Sequence, residues 1–354
     1  MSDYQRRMLR RVEELRERGH ALVLSVESSC DETAVAVVED GRAERANAIA
    51  SQIDAHALYG GVVPEIASRM HVEALDPLCD RALEEAGVSL SEIDAVAVTN
   101  GPGLVGALLT GVSWAKGFAW AADKPLIPVN HIEGHVSANY IAHPDLEPPF
   151  ICLVASGGHS HIMRVEEYGR YTLLGRTTDD AAGEAFDKVA RVLHIPYPGG
   201  PLLDRLAEEG DPLYYRFPKP HTEGKYDFSF SGLKTAVINQ AHSLEQRGEA
   251  IRAADWAASF RACVVGILVE KTLAAAVDAG ISRVAIAGGV AANRLLRREI
   301  VRHGERAGMQ LFLPPARLCT DNAVMIGSAG FYRLMRGELA PLSLNALPNI
   351  SMFS

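Results

Sequence analysis

The sequence LVLSVESSCDETAVAVVEDG (residues 22–41) consists of an apolar run, a polar turn and a second apolar run. FICLVASGGHSHIMRVEEYG (residues 150–169) repeats that order, and its polar turn contains Gly157 and Gly158. Each stretch predicts two paired strands joined by a tight turn. The two glycines leave backbone N–H groups open to an anion, because no side chain blocks the approach. Two such hairpins, one in each half, predict a duplicated domain that holds a phosphate-bearing ligand between its copies.

Length and composition indicate a two-domain globular protein of the cytoplasm. A chain of 354 residues is long for one core and predicts about two domains. No apolar run approaches the ~20 residues of a membrane span, so we expect no membrane contact. The five cysteines are an odd number without a Cys-x-x-Cys pair, which is typical of a reducing cytosol. Cys30, in the first polar turn, is either a small buried residue or a thiol nucleophile.

Charge limits how the chain could hold nucleic acid. The formal net charge is −9, so a local basic patch or a partner protein would have to supply the contact. One candidate patch is Arg294, Arg297, Arg298 and Arg302, although a solvated helix face explains them equally. The first 20 residues carry six arginines and predict a short helix with Met8, Val12 and Leu15 on one face. Either a solvated extension or a contact with RNA or a partner fits this segment.

Strands and helices alternate after the first hairpin, which indicates α/β layers with mainly parallel sheets. We expect strands at 95–99, 126–129, 284–287 and 310–313. We expect helices at 47–59, 64–87, 104–122, from 131, 180–194, 201–209, 233–247, 253–279, 294–307 and 323–336, with Thr320 or Asp321 as the cap of the last helix. The Pro-rich segment 143–149 is the best linker. The predicted domains are a charged extension (1–20), an N-terminal domain (21–146), a C-terminal domain (147–340) and an irregular tail (341–354).

The sequence HIEGH (residues 131–135) could bind a metal ion. His131 and His135 are four residues apart, on one face of a predicted helix that follows a strand. Asp321 is the best third ligand by the same geometry, although a helix cap explains it equally. Glu133 does not directly follow the first histidine, as it would in a zinc peptidase, and therefore points elsewhere. Two stray histidines on a structural helix remain the alternative.

A late glycine turn, Gly288-Gly289, enters a predicted helix and could admit an adenine or a phosphate. With the two hairpins, it gives the arrangement of the actin, sugar-kinase and heat-shock-70 superfamily. We therefore predict a duplicated, actin-like (ribonuclease-H-like) two-domain α/β fold of the ATPase type, with an interdomain cleft.

Within that superfamily, motifs that span roughly 22–345 resemble one family. They are ESSCDET (27–33), GGVVPEIASRMH (60–71), TNGPGLVGALLTG (99–111), NHIEGH (130–135), SGGHS (156–160), DDAAGEAFDKVAR (179–191), YPGGP (197–201), FSFSGLKTA (228–236), GGVAANRLL (288–296) and CTDNAVMI (319–326). The chain is similar to the tRNA threonylcarbamoyladenosine transferases, the TsaD family of bacteria. Residues 1–20 are not covered by the resemblance.

The resemblance implies the following site residues. His131, His135 and Asp321 would bind one metal ion, iron with zinc as the alternative. Asp31 and Glu32 would be the catalytic acidic pair. The nucleotide-bearing substrate would contact Val154, Ala155, Ser156, Gly157, Gly158, Asp187, Gly200, Asp204 and Asn293.

The implied reaction moves a threonylcarbamoyl group from threonylcarbamoyl-adenylate to N6 of adenosine 37, in tRNAs reading codons that start with A, and releases AMP. The implied partners are tRNA, a TsaB-like paralogue and a TsaE-like small ATPase. Three other functions are a small-molecule kinase or ATPase of the same superfamily, a metallopeptidase, and a non-catalytic nucleotide-binding scaffold. The histidine pair argues against the kinase, and the position of Glu133 argues against the peptidase. Intact metal and glycine motifs argue against the scaffold.

Overall fold

The computed structural model describes residues 3–353, which contain two five-stranded mixed sheets. Met1, Ser2 and Ser354, which belong to the predicted extension and tail, lie outside the described residues. No helix in this part of the chain is long and apolar enough to cross a membrane.

The first compact unit combines the residues up to Leu146 with those from Thr320 onward. Its strands are β1 (Leu22–Glu27), β2 (Glu32–Glu39), β3 (Ala43–Ser51), β4 (Ala95–Gly101) and β5 (Leu126–Asn130). Its helices are α1 (Asp3–Arg18), α2 (Ile53–Ala57), α3 (Pro64–Ala86), α4 (Val105–Ala121), α5 (His131–Ala142) and α11 (Ala323–Met335). The strand order is β3-β2-β1-β4-β5, with β1 antiparallel to β2 and parallel to β4.

The second unit comprises Glu147–Cys319. Its strands are β6 (Phe150–Ala155), β7 (Ser160–Glu167), β8 (Arg170–Arg176), β9 (Arg283–Ala287) and β10 (Gln310–Phe312). Its helices are α6 (Ala182–Val192), α7 (Gly199–Leu206), α8 (Ser231–Gln246), α9 (Ala253–Asp278) and α10 (Arg294–Arg306). The order β10-β9-β6-β7-β8 repeats the first sheet, with β6 antiparallel to β7 and parallel to β9. Both predicted hairpins and the duplicated architecture are therefore confirmed.

The predicted helix at 47–59 is wrong over its first half, because residues 47–51 belong to β3, which pairs antiparallel with β2. Alanine favours a helix, and this segment is rich in alanine. Ala46 and Ala48 are nevertheless buried at the two-residue spacing of a strand, so pairing with β2 overrides the local preference. The equivalent strand β8 in the second unit was not predicted either.

The N-terminal helix α1 is docked and not solvated. Tyr4, Met8, Val12 and Leu15 are all buried. The Tyr4 hydroxyl donates to the carbonyl of Lys124 (2.5 Å), and Arg16 Nε donates to the carbonyl of Met335 (2.9 Å). The sequence predicted the helix and its apolar face, but not that this face packs against the first unit.

The last helix, α11, lies against the first sheet, whereas the sequence placed residues 320–340 in a second domain. Two glycines allow the close approach. A Cβ on Gly330 would lie 2.5 Å from that of Ala97, and one on Gly327 would lie 2.5 Å from Val38 Cγ2. Because α11 is buried on this sheet, Asp321 belongs to the same unit as the two histidines.

Candidate metal centre

The histidine pair lies where β5 ends. Asn130 caps α5, since its side chain accepts a hydrogen bond from the backbone N–H of Ile132 (2.9 Å). His131 opens the helix and His135 lies one turn later, with their ring centroids 4.6 Å apart. Both side chains are buried. The structure thus agrees with the prediction that both histidines lie on one face of a helix that follows a strand.

Asp321 lies beside both rings. Its Oδ1 is 3.5 Å from Nε2 of His131 and 3.3 Å from Nε2 of His135. The predicted cap at Thr320 or Asp321 is wrong, because the cap of α11 is Asn322, whose side chain accepts from the N–H of Met325 (3.0 Å). The neighbouring asparagine therefore supplies the cap, while the Asp321 carboxylate lies next to the imidazoles.

These three residues fit a metal ion. Their donor atoms all lie within 4.8 Å of one another. Neither ring nitrogen of His135 makes a hydrogen bond with any described residue; the Asp321 oxygen is close to Nε2 but lacks hydrogen-bond geometry. A buried imidazole without a hydrogen bond is costly unless something else binds it. Two imidazoles and one carboxylate form a donor set that suits iron or zinc.

Glu27, at the end of β1, supports His131 from the other side. Its Oε2 is 3.1 Å from Nδ1 of His131 and accepts a bond from Thr99 Oγ1 (2.7 Å). Its Oε1 accepts from the N–H of Ser29 (2.5 Å). A bond at Nδ1 leaves Nε2, the nitrogen that faces Asp321, free for a metal. Glu27 belongs to the ESSCDET motif, but no local pattern assigns it a role; a charged residue at the end of a buried strand is the signal that could have identified it.

The electrostatics of this cluster require positive charge. Burial alone would lower the pKa of His131, but Asp321 and Glu27 outweigh burial and raise that pKa to about 9. Burial alone would raise the pKa of Glu27, yet the charge on His131 outweighs it and lowers that pKa. Two carboxylates around a buried imidazole thus hold a proton on the ring, and a metal cation could take the place of that proton.

Glu133 and Gly134 fix α5 against α11. The buried carboxylate of Glu133 accepts from Arg333 Nε (2.6 Å) and pairs with its Nη2 (2.5 Å). It therefore lies away from the histidine cluster, as expected, and is not placed to act as a peptidase base. A Cβ on Gly134 would lie 2.7 Å from Ile326 Cδ1, so glycine allows the helices to pack closely one turn from Asp321.

Asp31 and Glu32 occupy the turn between β1 and β2, within the same unit. Glu32 Oε1 accepts from Ser51 Oγ (2.8 Å), whereas its buried Oε2 has no hydrogen-bond partner in residues 3–353. Burial, together with the charges of Asp31 and Asp321, raises the pKa of Glu32 to about 7. Burial and the charge of Asp31 also raise the pKa of Cys30 well above its ordinary value. The Cys30 thiol stays protonated, which argues against a nucleophilic role.

The second unit carries the other candidate residues around the β6–β7 turn. Val154 and Ala155 are buried in β6, and Ser156 begins the turn. A Cβ on Gly157 or Gly158 would meet no described atom within 4 Å, and neither backbone N–H has a partner among the described residues. Open N–H groups on adjacent glycines are suited to bind an anion. A Cβ on Gly288 would lie 2.4 Å from the carbonyl oxygen of Ala155, so the late glycine turn adjoins this one.

The remaining predicted residues line neighbouring helices. Asp187 accepts from the N–H of Gly200 (2.9 Å), which joins α6 to the start of α7. Asp204 accepts from Arg261 Nη1 (2.9 Å) and from the N–H of Arg294 (3.2 Å). Asn293 caps α10 by accepting from the N–H of Leu296 (3.0 Å). Each of the four therefore has a hydrogen-bonding role within the second unit, and any ligand contact would be additional.

The architecture is that of the actin-like ATPases. HypF of T. kodakarensis superposes with a TM-score of 0.61 at 16% identity, over 90% of this chain and 48% of that chain. Component A of the (R)-2-hydroxyglutaryl-CoA dehydratase from Acidaminococcus fermentans superposes with a TM-score of 0.50 at 14% identity, over 89% of this chain and 98% of that chain. The chain is thus a two-unit protein of the actin-like ATPase fold with a His₂Asp cluster in its first unit.

Closer relatives define the family. Residues 44–328 match the family described as "TsaD: tRNA N6-adenosine threonylcarbamoyltransferase". A Moorella thermoacetica tRNA N6-adenosine threonylcarbamoyltransferase is 55% identical over 93% of this chain and 97% of its own. A Clostridium perfringens protein of that name is 53% identical over 94% of this chain and 98% of its own. The chain belongs to the tRNA N6-adenosine threonylcarbamoyltransferase family. It is a transferase that modifies tRNA.

Proposed function

We propose that this chain transfers threonylcarbamoyl from threonylcarbamoyl-adenylate to N6 of adenosine 37, in tRNAs that read codons beginning with A. The cluster of His131, His135 and Asp321, in a chain of this family, is the observation that supports the proposal most directly. In the reaction, N6 of the adenosine bonds to the carbamoyl carbon. The bond from that carbon to the phosphate oxygen breaks, and AMP leaves with the bonding electrons.

The metal would be held by His131, His135 and Asp321, with iron proposed and zinc as the alternative. When bound, such an ion would act as a Lewis acid that takes up negative charge on a phosphate or carbonyl oxygen. Glu27 would hold the His131 ring so that Nε2 faces the ion. Thr99 and Ser29, which both donate to Glu27, would keep that carboxylate in place.

Glu32 is the residue we propose as the general base, with Asp31 beside it. A base is most effective when its pKa is close to the working pH, and burial raises the pKa of Glu32 to about 7. Its buried Oε2, which has no partner in the described chain, would accept the proton that N6 loses. The charge of Asp31 would help to keep that proton on Glu32.

The donor would bind the second unit through its nucleotide part. The open N–H groups of Gly157 and Gly158 would hold the phosphate, both as bound substrate and as the leaving group. Val154, Ala155 and Ser156 would shape that turn through their backbone. Asp187, Gly200, Asp204 and Asn293 would contact the nucleoside.

Partner proteins would complete the reaction. We propose a TsaB-like paralogue and a TsaE-like small ATPase, and a cytoplasmic location where tRNA is available. The formal net charge of −9 supports a subunit that shares the work of holding tRNA.

The test is to deplete the protein in its own cells, digest bulk tRNA and quantify threonylcarbamoyladenosine by mass spectrometry. We expect the nucleoside to disappear and to return with the wild-type chain, but not with Asp321→Ala or with His131→Ala/His135→Ala. Purified Asp321→Ala should also lose bound metal while keeping the thermal melting profile of the metal-free wild-type chain. An unchanged nucleoside level after depletion, with no second copy of the gene, would favour the kinase or the scaffold.

A further inference from the structure

We propose that the outer face of α1 contacts the phosphate backbone of the tRNA substrate. The surface consists of Arg6, Arg7, Arg10 and Arg11, here called the α1 arginine patch. This inference rests on the family function, because it takes tRNA as the polyanion, and it adds a contact surface for that substrate.

Helix α1 presents the patch on a fixed support. Tyr4, Met8, Val12 and Leu15 form the buried face, and each is at most 5% exposed. Hydrogen bonds from Tyr4 to Lys124 and from Arg16 to Met335 secure the two ends of the helix. The arginines on the outer face are therefore carried by an ordered helix, so only side-chain freedom would be lost on binding.

Half of the patch forms no ion pair within the described chain, although Asp123 lies close enough to Arg11 to interact with its charge. Arg6 pairs with Asp3, and Arg7 pairs with Asp123 (2.6 Å). Arg10 and Arg11 have no hydrogen-bond or ion-pair partner among residues 3–353. A shallow depression of the surface is lined by Asp3, Arg6, Arg7, Leu9 and Arg10.

Helix stability does not explain these charges. Arg6 and Arg10 are four residues apart, as are Arg7 and Arg11, and like charges at that spacing destabilise a helix. Arg6, in the first turn of α1, also opposes the helix dipole. Glu13 and Glu14 lie three and four residues after Arg10 and offset part of this cost, but neither forms an ion pair with it in the described chain, so the helix gains little from Arg10.

The other arginine-rich helix contrasts with α1. In α10, Arg297 donates to the carbonyl oxygens of Ala291 and Pro314. Arg298 pairs with Glu208, and Arg302 pairs with Glu299. Most of those arginines are thus occupied within the second unit. Of the two basic segments that the sequence offers, α1 has the freer guanidinium groups.

The position of α1 indicates what the patch would do. The helix is bonded to Lys124 and Asp94, which lie within two residues of the starts of β5 and β4, whereas His131 directly follows β5. A strand of this length separates the two ends of the sheet by roughly 15–20 Å. The patch would therefore contact a part of the tRNA away from the modified adenosine, and it should affect tRNA binding and not the chemical step.

The experiment compares Arg10→Gln/Arg11→Gln with Arg170→Gln/Arg247→Gln in the full chain, reconstituted with its partner proteins. Each double variant removes two arginines; Arg11 is half-buried and the other three are exposed. Arg170 and Arg247 lie in ion pairs with neighbouring glutamates. Threonylcarbamoyladenosine formation is measured against tRNA concentration at several salt concentrations. We expect the α1 variant to raise KM for tRNA roughly 3- to 10-fold with kcat unchanged. The plot of log(kcat/KM) against log[salt] should become shallower by roughly 1–2 in slope for the α1 variant. The control variant should match wild type in both KM and slope.

Two results would overturn the proposal. One is a KM and a salt slope equal to those of wild type. The other is a raised KM that disappears when the partner proteins are added in excess, which would make the patch a contact for an acidic protein surface. A wild-type chain that forms no threonylcarbamoyladenosine would instead contradict the proposed function, so the two failures are distinguishable.

Discussion

Glu27 orients the His131 ring for metal coordination, because its carboxylate is 3.1 Å from Nδ1 of that ring. We expect Glu27→Gln to weaken metal binding about 10- to 100-fold, since the amide keeps the shape but loses the charge that orients the imidazole. Competition with a chromophoric chelator, with Zn²⁺ as the probe, measures the affinity.

Thr99→Val is the matched control for Glu27→Gln. It removes one hydrogen bond to Glu27 (2.7 Å) and leaves the carboxylate in place. We expect a smaller loss of Zn²⁺ affinity than for Glu27→Gln. Equal affinities for the wild type and Glu27→Gln would show that Glu27 does not position the ligand.

The ionised Glu32 carboxylate should lower the free energy of unfolding at neutral and higher pH, where Glu32 would act as a base. Its pKa in the folded chain is about 7, above the value near 4.5 of a free glutamate, so the folded state holds the proton more tightly. The stabilisation that comes from proton binding by Glu32 is fully present below pH 4.5 and is lost as the pH rises through 7. Glutamine stays neutral, so at pH 8 we expect Glu32→Gln to be more stable by about 1–2 kcal/mol, after allowance for partial exposure, and inactive in transfer.

Urea unfolding of the metal-free chain at pH 4.5 and pH 8 measures this effect. The stability gain of Glu32→Gln over wild type should be present at pH 8 and close to zero at pH 4.5. A gain of the same size at both values would mean that proton binding by Glu32 is not its cause.

At the residue scale, the sequence was most informative where spacing determines geometry. His131 and His135 are on one helical face because of their spacing alone, and their position after a strand was predictable. The predicted cap at Thr320 or Asp321 was wrong, because Asn322 is an equally good cap residue and only tertiary contact places Asp321 beside the imidazoles. Glu27 was missed for the same reason, since its partner is more than 100 residues away.

At the scale of elements, the packing of α5 on α11 controls the site. We expect Gly134→Val to weaken Zn²⁺ binding, because a Cβ there would lie 2.7 Å from Ile326 Cδ1 and would push α5, which carries both histidines, away from α11, which Asp321 shortly precedes. Ile326→Ala removes that atom, so the double variant Gly134→Val/Ile326→Ala should recover part of the affinity. Chelator competition measures both.

Gly117→Val is the control for helix propensity. Gly117 lies in α4, and a Cβ there would meet no described atom within 4 Å. Valine has a somewhat higher helix propensity than glycine, so this substitution should not destabilise α4 and should leave the Zn²⁺ affinity unchanged. If Gly134→Val also leaves the affinity unchanged, close helix packing is not what aligns the ligands.

Most elements followed from periodicity, and the exceptions were the third strands of the two sheets. Strand β3 is alanine-rich, and only its pairing with β2 distinguishes it from a helix. Strand β8 is joined to β7 by a turn of two residues, Tyr168 and Gly169, and its sequence gives no clear alternation of polar and apolar residues. Strand pairing is a non-local interaction, so a short strand without strong alternation carries little local signal.

At the scale of the whole molecule, metal and nucleotide should protect different units. We expect hydrogen exchange with Zn²⁺ to slow in α5, in the β1–β2 turn and at the start of α11, all within the first unit. AMP should slow exchange at 154–158 and at the start of α10. Equal protection of 147–319 by Zn²⁺ alone would contradict the assignment of the metal to the first unit.

The metal ligands come from two segments of the chain that are separated by the whole second unit, and this affects when the site is completed during synthesis. His131 and His135 leave the ribosome before any of the second unit, whereas Asp321 follows all of it. At about 5–20 residues per second, roughly 10–40 s pass between the synthesis of His135 and the synthesis of Asp321. Metal capture with the full ligand set is therefore a late step of maturation, so a bound ion would mark a chain whose translation is almost finished.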